Sequence, residues 1–317
     1  MAGAVVMGVV LIIPFILSFN PYYVSIFISA LILGGVSIAW NLLAGGCGQV
    51  SFGHAAFFGI GAYASAILVT KGACSPYLGI VAGGICGALG SLIIGLPAFR
   101  LRGPYFALAI LGFAEVAKLL TLNMTWLTEG SAGILNIPPL PALHLGGLTL
   151  DFHISRTTNY YVAAALVMAI YLTVYFMKRS NLGLAMSAVH GDEETAAGIG
   201  INVVGAKAFA LVVSAFCTAV MGGFYAHYVR FLSPDTAFEG SWSVMPIVAS
   251  LFGGMRTLIG PMLGALVIIG VDEFVAKQFF EMGHKLFFGL LLATVIVWAP
   301  AGLMGDRVRM SVKGRKR

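Results

Sequence analysis

The chain has 317 residues, of which 59% are hydrophobic and only 9% carry a charge. A water-soluble domain carries about 25% charged residues, so a soluble globular domain is excluded and an all-α polytopic membrane protein is expected. The net charge of +6 is no nucleic-acid signal, because six of the 18 basic residues crowd into Arg307–Arg317, as at a cytoplasmic end beside anionic lipid.

A helix needs about 20 apolar residues to cross a bilayer. Spans are predicted at Ala4–Ser18, Tyr22–Leu43, His54–Val69, Tyr77–Pro97, Pro104–Leu122, Tyr160–Met177, Ala208–Tyr228, Leu258–Ala276 and Lys285–Ala299. Asn20–Pro21 breaks the first pair. The first run has no basic region before it and no small-residue cleavage site, so it reads as a span and not a signal peptide. A further apolar piece, Val244–Phe252, is about half the crossing length and reads as a re-entrant half-helix. Basic residues set the orientation: Arg100, Arg102, Lys178, Arg179 and the C-terminal tail all fall inside with one parity. Both termini are then cytoplasmic, and the Pro- and Gly-containing segment 123–159 forms a small extracytoplasmic cap. The whole of 1–317 is read as one transmembrane domain, with a cytoplasmic loop at 178–207 and a basic tail at 306–317.

Two stretches interrupt the helical pattern. Asn41–Ala66 carries Gly45, Gly46, Gly48 and Gly53, with Gln49, Ser51 and His54 among them. Met245–Ala265 carries Pro246, Gly253, Gly254, Arg256, Gly260 and Pro261. Irregular backbone at membrane depth is tolerated only when buried in protein or lining a wet cavity. Paired interruptions point to a transport path. Asn41, Gln49, Ser51, Gly53, His54, Gly253 and Gly254 are the residues expected to line it. The competing reading is that the glycines only allow close helix packing.

The loop Lys178–Lys207 holds Asp192, Glu193 and Glu194 in a row. Three acids at a helix centre would cost roughly 7–10 kcal/mol, so this stretch lies outside the hydrocarbon. Asp192 suits an N-cap, with Glu193 and Glu194 in the first turn. Ala196 and Ala197 give a smooth face, and Gly198 and Gly200 end the helix. A short capped helix of this kind is a knob that a partner can grip; an ordinary interhelical turn is the bland alternative.

Glu115 and Lys118 share a helix face and are expected to pair at i, i+3, and Glu273 and Lys277 at i, i+4. Asp235 and Glu239 read as a solvated outer loop or a contact for a delivery protein. Cys47, Cys74, Cys86 and Cys217 show no ligand spacing, and the six histidines no paired spacing, so neither a metal site nor a cofactor is expected. The sequence contains no P-loop motif, so ATP-derived energy has to enter through a partner.

Nearly the whole chain resembles the permease subunits of bacterial branched-chain amino-acid ABC importers, closest to the LivM-like branch. The motifs are NLLAGGCGQVSFGHAAFFGIGAYASA from Asn41, RLRGPYFALAILGFAEV from Arg100, LTEGSAGILNIP, HGDEETAAGIGINV from His190, and the closing GGMRTLIGPMLGA and APAGLMG. The resemblance implies about eight to ten helices, a second LivH-like permease, two ATP-binding cassette subunits and an extracytoplasmic solute-binding protein. It also implies that Asp192, Glu193, Glu194, Ala196, Ala197, Gly198, Gly200 and Asn202 form the coupling loop on the ATPase. Two positions depart from the family. Met186–His190 replaces an Arg-Ala-Ile-Arg-like stretch, and Cys47 stands where an aromatic or small residue is usual. The expected function is a permease subunit, without its own ATPase site, in the bacterial inner membrane. Alternatives are a permease of the same family for urea or amides and an ion-coupled secondary transporter. A membrane enzyme would need a nucleophile–base pair or metal ligands at depth, and the sequence offers none.

Overall fold

Asn20–Pro21 starts the first helix of the computed structural model, which describes residues 20–99, 101, 104–141, 143–145, 148–150, 156–255, 257–273 and 302. The spans expected at Ala4–Ser18 and Lys285–Ala299, Lys277 and the tail 306–317 lie outside these residues. The Asn20 side chain accepts from Tyr22 N at 3.0 Å, and Pro21 needs no donor partner at the first turn. The helix, α1, runs Pro21–Cys47 and ends where Gly48 takes the left-handed conformation at φ +74. From Leu31 to Ala44 every residue of α1 is buried, so it is the central post.

The other long helices are α2 (His54–Thr70), α3 (Pro76–Ala98), α4 (Pro104–Asn123), α6 (Arg156–Arg179) and α9 (Val203–Val229). Five helical stretches are long and apolar enough to cross a membrane: Pro21–Cys47, Pro76–Gly95, Tyr105–Asn123, Arg156–Arg179 and Val203–Val229. α9 packs on α2, α3 and α1, and α1 also packs on α6. The α2–α9 contact is made by missing side chains. A Cβ on Gly61 would lie 2.1 Å from Ala219 O, and one on Gly222 would lie 2.1 Å from Phe58 O. Lipid offers apolar side chains no less apolar surroundings than a neighbouring helix does, so this close backbone approach supplies the packing energy instead.

Segment 123–150 forms no span-length helix among its described residues. It holds α5 (Thr125–Thr128), a 3-10 turn at Gly130–Ala132 and a hairpin of β1 (Leu143–Leu145) and β2 (Leu148–Leu150), with Leu143 opposite Leu150. Lys71 Nζ donates to Trp126 O and Leu127 O at 3.1 and 2.9 Å, and Ile134 bridges Leu232. These contacts collect the ends of α2, α4 and α9 under one cap.

Three readings need correction. Lys118 does not take Glu115 as its ion-pair partner: its Nζ lies 2.8 Å from Asp235 Oδ1. α10 (Pro234–Ala237) packs on α4 and presents that carboxylate across the gap, so Asp235 is no free loop acid. Residues 181–191, read as loop, form the 11-residue helix α7 (Asn181–Gly191), with Met186 and Val189 three apart on its buried face. The apolar piece near Val244 is longer than expected, at 13 residues in α11 (Ser241–Gly253), but still short of a crossing. The chain turns at Gly254 and continues into α12 (Gly260–Val271), and both helices lie along α1.

The glycine seam gives a direct test. Gly222→Ala should cost roughly 1–3 kcal/mol through overpacking, seen as a lower melting temperature in detergent. Gly112→Ala is the control, because a Cβ there meets nothing within 4 Å.

Candidate functional site

The acidic knob is built as its residue order dictates. Asp192 is extended, at φ −160 and ψ 121, and its carboxylate accepts from Thr195 N at 2.6 Å. That caps α8 (Glu193–Gly198) and leaves Glu193 and Glu194 in the first turn, where the helix dipole favours anions. Hydrogen bonds from the Thr195 side chain and backbone hold the Asp192 carboxyl below the usual carboxylate range. Gly200, at φ +88, lets the chain leave the helix. Asn202 then caps α9, accepting from Gly205 N at 2.8 Å.

The knob has two faces. Ala196 turns inward onto Val189 and Ala206. Ala197, Gly198, Ile199 and Gly200 face outward, with Ile199 72% exposed. A Cβ on Gly198 would meet nothing within 4 Å, so no contact with the described residues demands a glycine there.

Glu193 faces back into the protein. Its Oε1 accepts from Lys207 Nζ at 2.5 Å and from Gln49 Nε2 at 2.9 Å. The Lys207 side chain is only 4% exposed, against 37% for Glu193. A cleft of about 270 Å³ opens beside the pair, lined by Phe99, Glu193, Glu194, Ala197, Val203, Val204 and Lys207. The same face touches the glycine-rich stretch. A Cβ on Gly46 would sit 2.7 Å from Met186 Cε, and one on Gly48 would sit 3.4 Å from His190 Nδ1. Of the residues that stand in for the family's basic stretch, Met186 is buried against Gly46 while His190 lies beside Gly48 and stays exposed.

After Gly48 the chain climbs back into the bundle. Trp40 Nε1 donates to Ser51 O at 2.8 Å, about two helical turns inside the end of α1. Ser214 donates its hydroxyl to Ala39 O at 2.6 Å and lies 2.8 Å from His54 Nε2. A hydroxyl has one proton, so His54 Nε2–H must be the donor in that contact. Nδ1 lies 3.2 Å from Ser51 Oγ, which a neutral imidazole can accept from. Gly53 N donates to Ser51 Oγ at 3.3 Å, and Ala55 N to Ser243 Oγ at 3.0 Å. The polar side chains of this break have all found protein partners.

The second break leans on the next residue of α1. Asn41 Nδ2 donates to Thr257 O at 3.0 Å, while Asn41 Oδ1 is buried with no hydrogen-bond partner among the described residues. Gly260 N donates to Thr257 Oγ1 at 2.9 Å. Gly253 is pressed against Gly260, and Gly254 turns the chain at φ +109. Trp40 and Asn41, adjacent on α1, thus clasp one interruption each.

Of the residues expected to line a path, Asn41, Gln49, Ser51, Gly53 and His54 come together at the C-terminal end of α1, and Gly253 and Gly254 open the turn whose Thr257 meets Asn41. All seven are buried by the described residues of this chain. Sequence reasoning missed Lys207, Ser214, Trp40 and Ile199. Lys207 had a signal: it is a lone cation inside an apolar helix, and such a residue calls for a partner.

A family profile described as the permease component of branched-chain amino acid transport systems matches residues 22–296. The high-affinity branched-chain amino acid transport permease LivM of Escherichia coli is 29% identical over 293 residues, covering 85% of this chain and 67% of the relative. BraD of Pseudomonas aeruginosa, a permease protein of the same kind of system, is 24% identical over 286 residues, covering 85% and 90%. A probable LivM of Methanocaldococcus jannaschii is 21% identical, covering 79% and 78%. No solved structure matches.

The shared acceptor should respond asymmetrically to truncation. Glu193→Ala strands a sealed ammonium and should cost about 3 kcal/mol. Lys207→Met leaves a carboxylate that reaches water and should cost about 1 kcal/mol. Melting of the purified chain compares the two. The Asp192 cap has its own pH signature. Its folded-state pKa is depressed, so its stabilisation is complete above the unfolded value and is lost as pH falls through the folded one. Hydrogen-exchange protection of the Thr195 amide, corrected for intrinsic rate, should be flat across neutral pH and fall only in acid; Asp192→Asn should remove the acid dependence.

Proposed function

Because the chain belongs to the family of permease components of branched-chain amino acid transport systems, we propose that it carries branched-chain amino acids inward across a bacterial inner membrane. It does so with a second permease of the same kind, two ATP-binding subunits and a solute-binding protein. The chain supplies the passage and its partners supply the energy. The 192–202 loop faces the cytosol and docks on an ATP-binding subunit, and the capped end around Lys71 and Asp235 receives the binding protein.

One observation carries the docking role. α8 projects a small apolar face of Ala197, Gly198 and Ile199 with no covering contact among the described residues. A solvated turn has no use for a 72% exposed isoleucine next to a glycine whose Cβ position is empty. A cleft on a partner does. The neutral hydrogen-bonding groups around Asn41 suit a zwitterionic cargo with an apolar side chain. The passage opens between Asn41, Gln49, Ser51, Gly53, His54, Gly253 and Gly254 and the sister permease once these enclosed groups part.

The test is uptake by the complex reconstituted with its ATP-binding subunits and binding protein. Radiolabelled leucine should enter only with ATP, and urea should not compete. Ile199→Asp and Gly198→Trp should each lower ATP-dependent uptake at least tenfold while the chain still inserts. Uptake by the chain alone on a sodium or proton gradient would overturn the assignment.

A further inference from the structure

The two unusual stretches of this sequence, 144 residues apart, meet at one oxygen atom. We propose that Gln49, Glu193 and Lys207 form the latch that carries movement of α8 into the glycine-rich break, with Gln49 as its releasable member. The inference rests on the reading of α8 as the ATPase-facing helix and names the positioning residues behind it.

The contacts are unequal. Glu193 and Lys207 belong to neighbouring helices, α8 and α9, and one partner is nearly sealed from water. Parting them would leave a buried cation without a counter-ion, so α8 and the start of α9 move as one body. Gln49 contributes a single neutral donor, and the next residue, Val50, is exposed. Gln49 itself is buried, but the Glu193 carboxylate is 37% exposed, so water can replace that bond on the Glu193 side when it opens. The weak joint therefore lies between the α8–α9 body and residue 49.

The chain just beyond Gln49 makes the joint consequential. Two residues on, Ser51 is tied to Trp40 through its carbonyl and to His54 through its hydroxyl, and His54 is tied through Ser214 to Ala39. Tension at residue 49 is thus delivered to α1 and α9 well inside the bundle. The glycines at 46 and 48 keep α7 close enough for the joint to form, with Met186 and His190 against them. Gln49 and Lys207 both sit behind the outward face of α8, so they act through Glu193 and not by touching the ATP-binding subunit.

The experiment uses the assembled complex in proteoliposomes and reads leucine moved per ATP hydrolysed. Gln49→Glu sets a second carboxylate against Glu193 and should lower that ratio at least fivefold. The exchange Q49E/E193Q should bring it back to within twofold of wild type, because the amide now on α8 can accept from Lys207 and donate to the carboxylate now at position 49. Copurification of all subunits with each variant confirms assembly, which a merely structural defect would abolish. An unchanged ratio in Q49E, or a double exchange as poor as the single, overturns the latch. A wild-type complex with no ATP-driven uptake overturns the functional reading instead, so the two failures are told apart in the same vesicles.

Discussion

A backbone polar group with no partner in apolar surroundings costs several kcal/mol, and the architecture of this chain follows from meeting that constraint twice. The first break, at residues 48–53, is met by Trp40 of α1 on Ser51 O and by the Ser51 hydroxyl on Gly53 N. The second, at 254–259, is met by Thr257 closing its own turn and by Asn41 reaching across to it. Both rely on α1, and on adjacent residues of it. This explains why α1 is buried on all sides for much of its length and why its sequence shows no amphipathic stripe. A post that must present partners in several directions cannot keep one side for lipid.

The same constraint sets how the C-terminal end of α1 is surrounded. Glu193 offers an acceptor to a lysine that the bundle has nearly closed over, and to a glutamine arriving from the first break. The pair ties α8 to α9 far more firmly than the glutamine ties α8 to α1. Outward, α8 is smooth, apolar and uncovered. The knob is therefore held firmly to α9 and lightly to the first break, with Ala197, Gly198 and Ile199 exposed.

Much of this was legible in the sequence. The spans show as long apolar runs because lipid allows few alternatives, and the break at Asn20–Pro21 and the cap at Asp192 follow from local chemistry. What was not legible depended on pairs far apart in the chain. Nothing local says that Lys118 would find Asp235 across a gap in place of Glu115 one turn away. Gln49, Ser51 and His54 stood out as polar groups in apolar company. That Gln49 meets Glu193, Ser51 meets Trp40 and His54 meets Ser214 is set by where α9 and α8 lie against α1, and one-dimensional pattern is silent on that. Residues 181–191 were missed as a helix because charge on both sides marked the stretch as loop, although Met186 and Val189 already carried the helical spacing.

Where the charges fall also bears on how such a passage can be driven. Among the described residues Lys207 is the one residue with a formal charge that is buried as a whole, while Asp272 buries one carboxylate oxygen. The other buried polar side chains are hydroxyls, amides and two histidines, and each histidine can be satisfied while neutral. His227 repeats the pattern of His54: Nδ1–H donates to Pro138 O at 2.7 Å and Nε2 accepts from Ser65 Oγ at 2.9 Å. A transporter coupled to protons or sodium needs an ionisable or anionic group at depth whose occupancy changes with the cycle. Lys207 is met by the Glu193 carboxylate, which α8, α9 and the first break share.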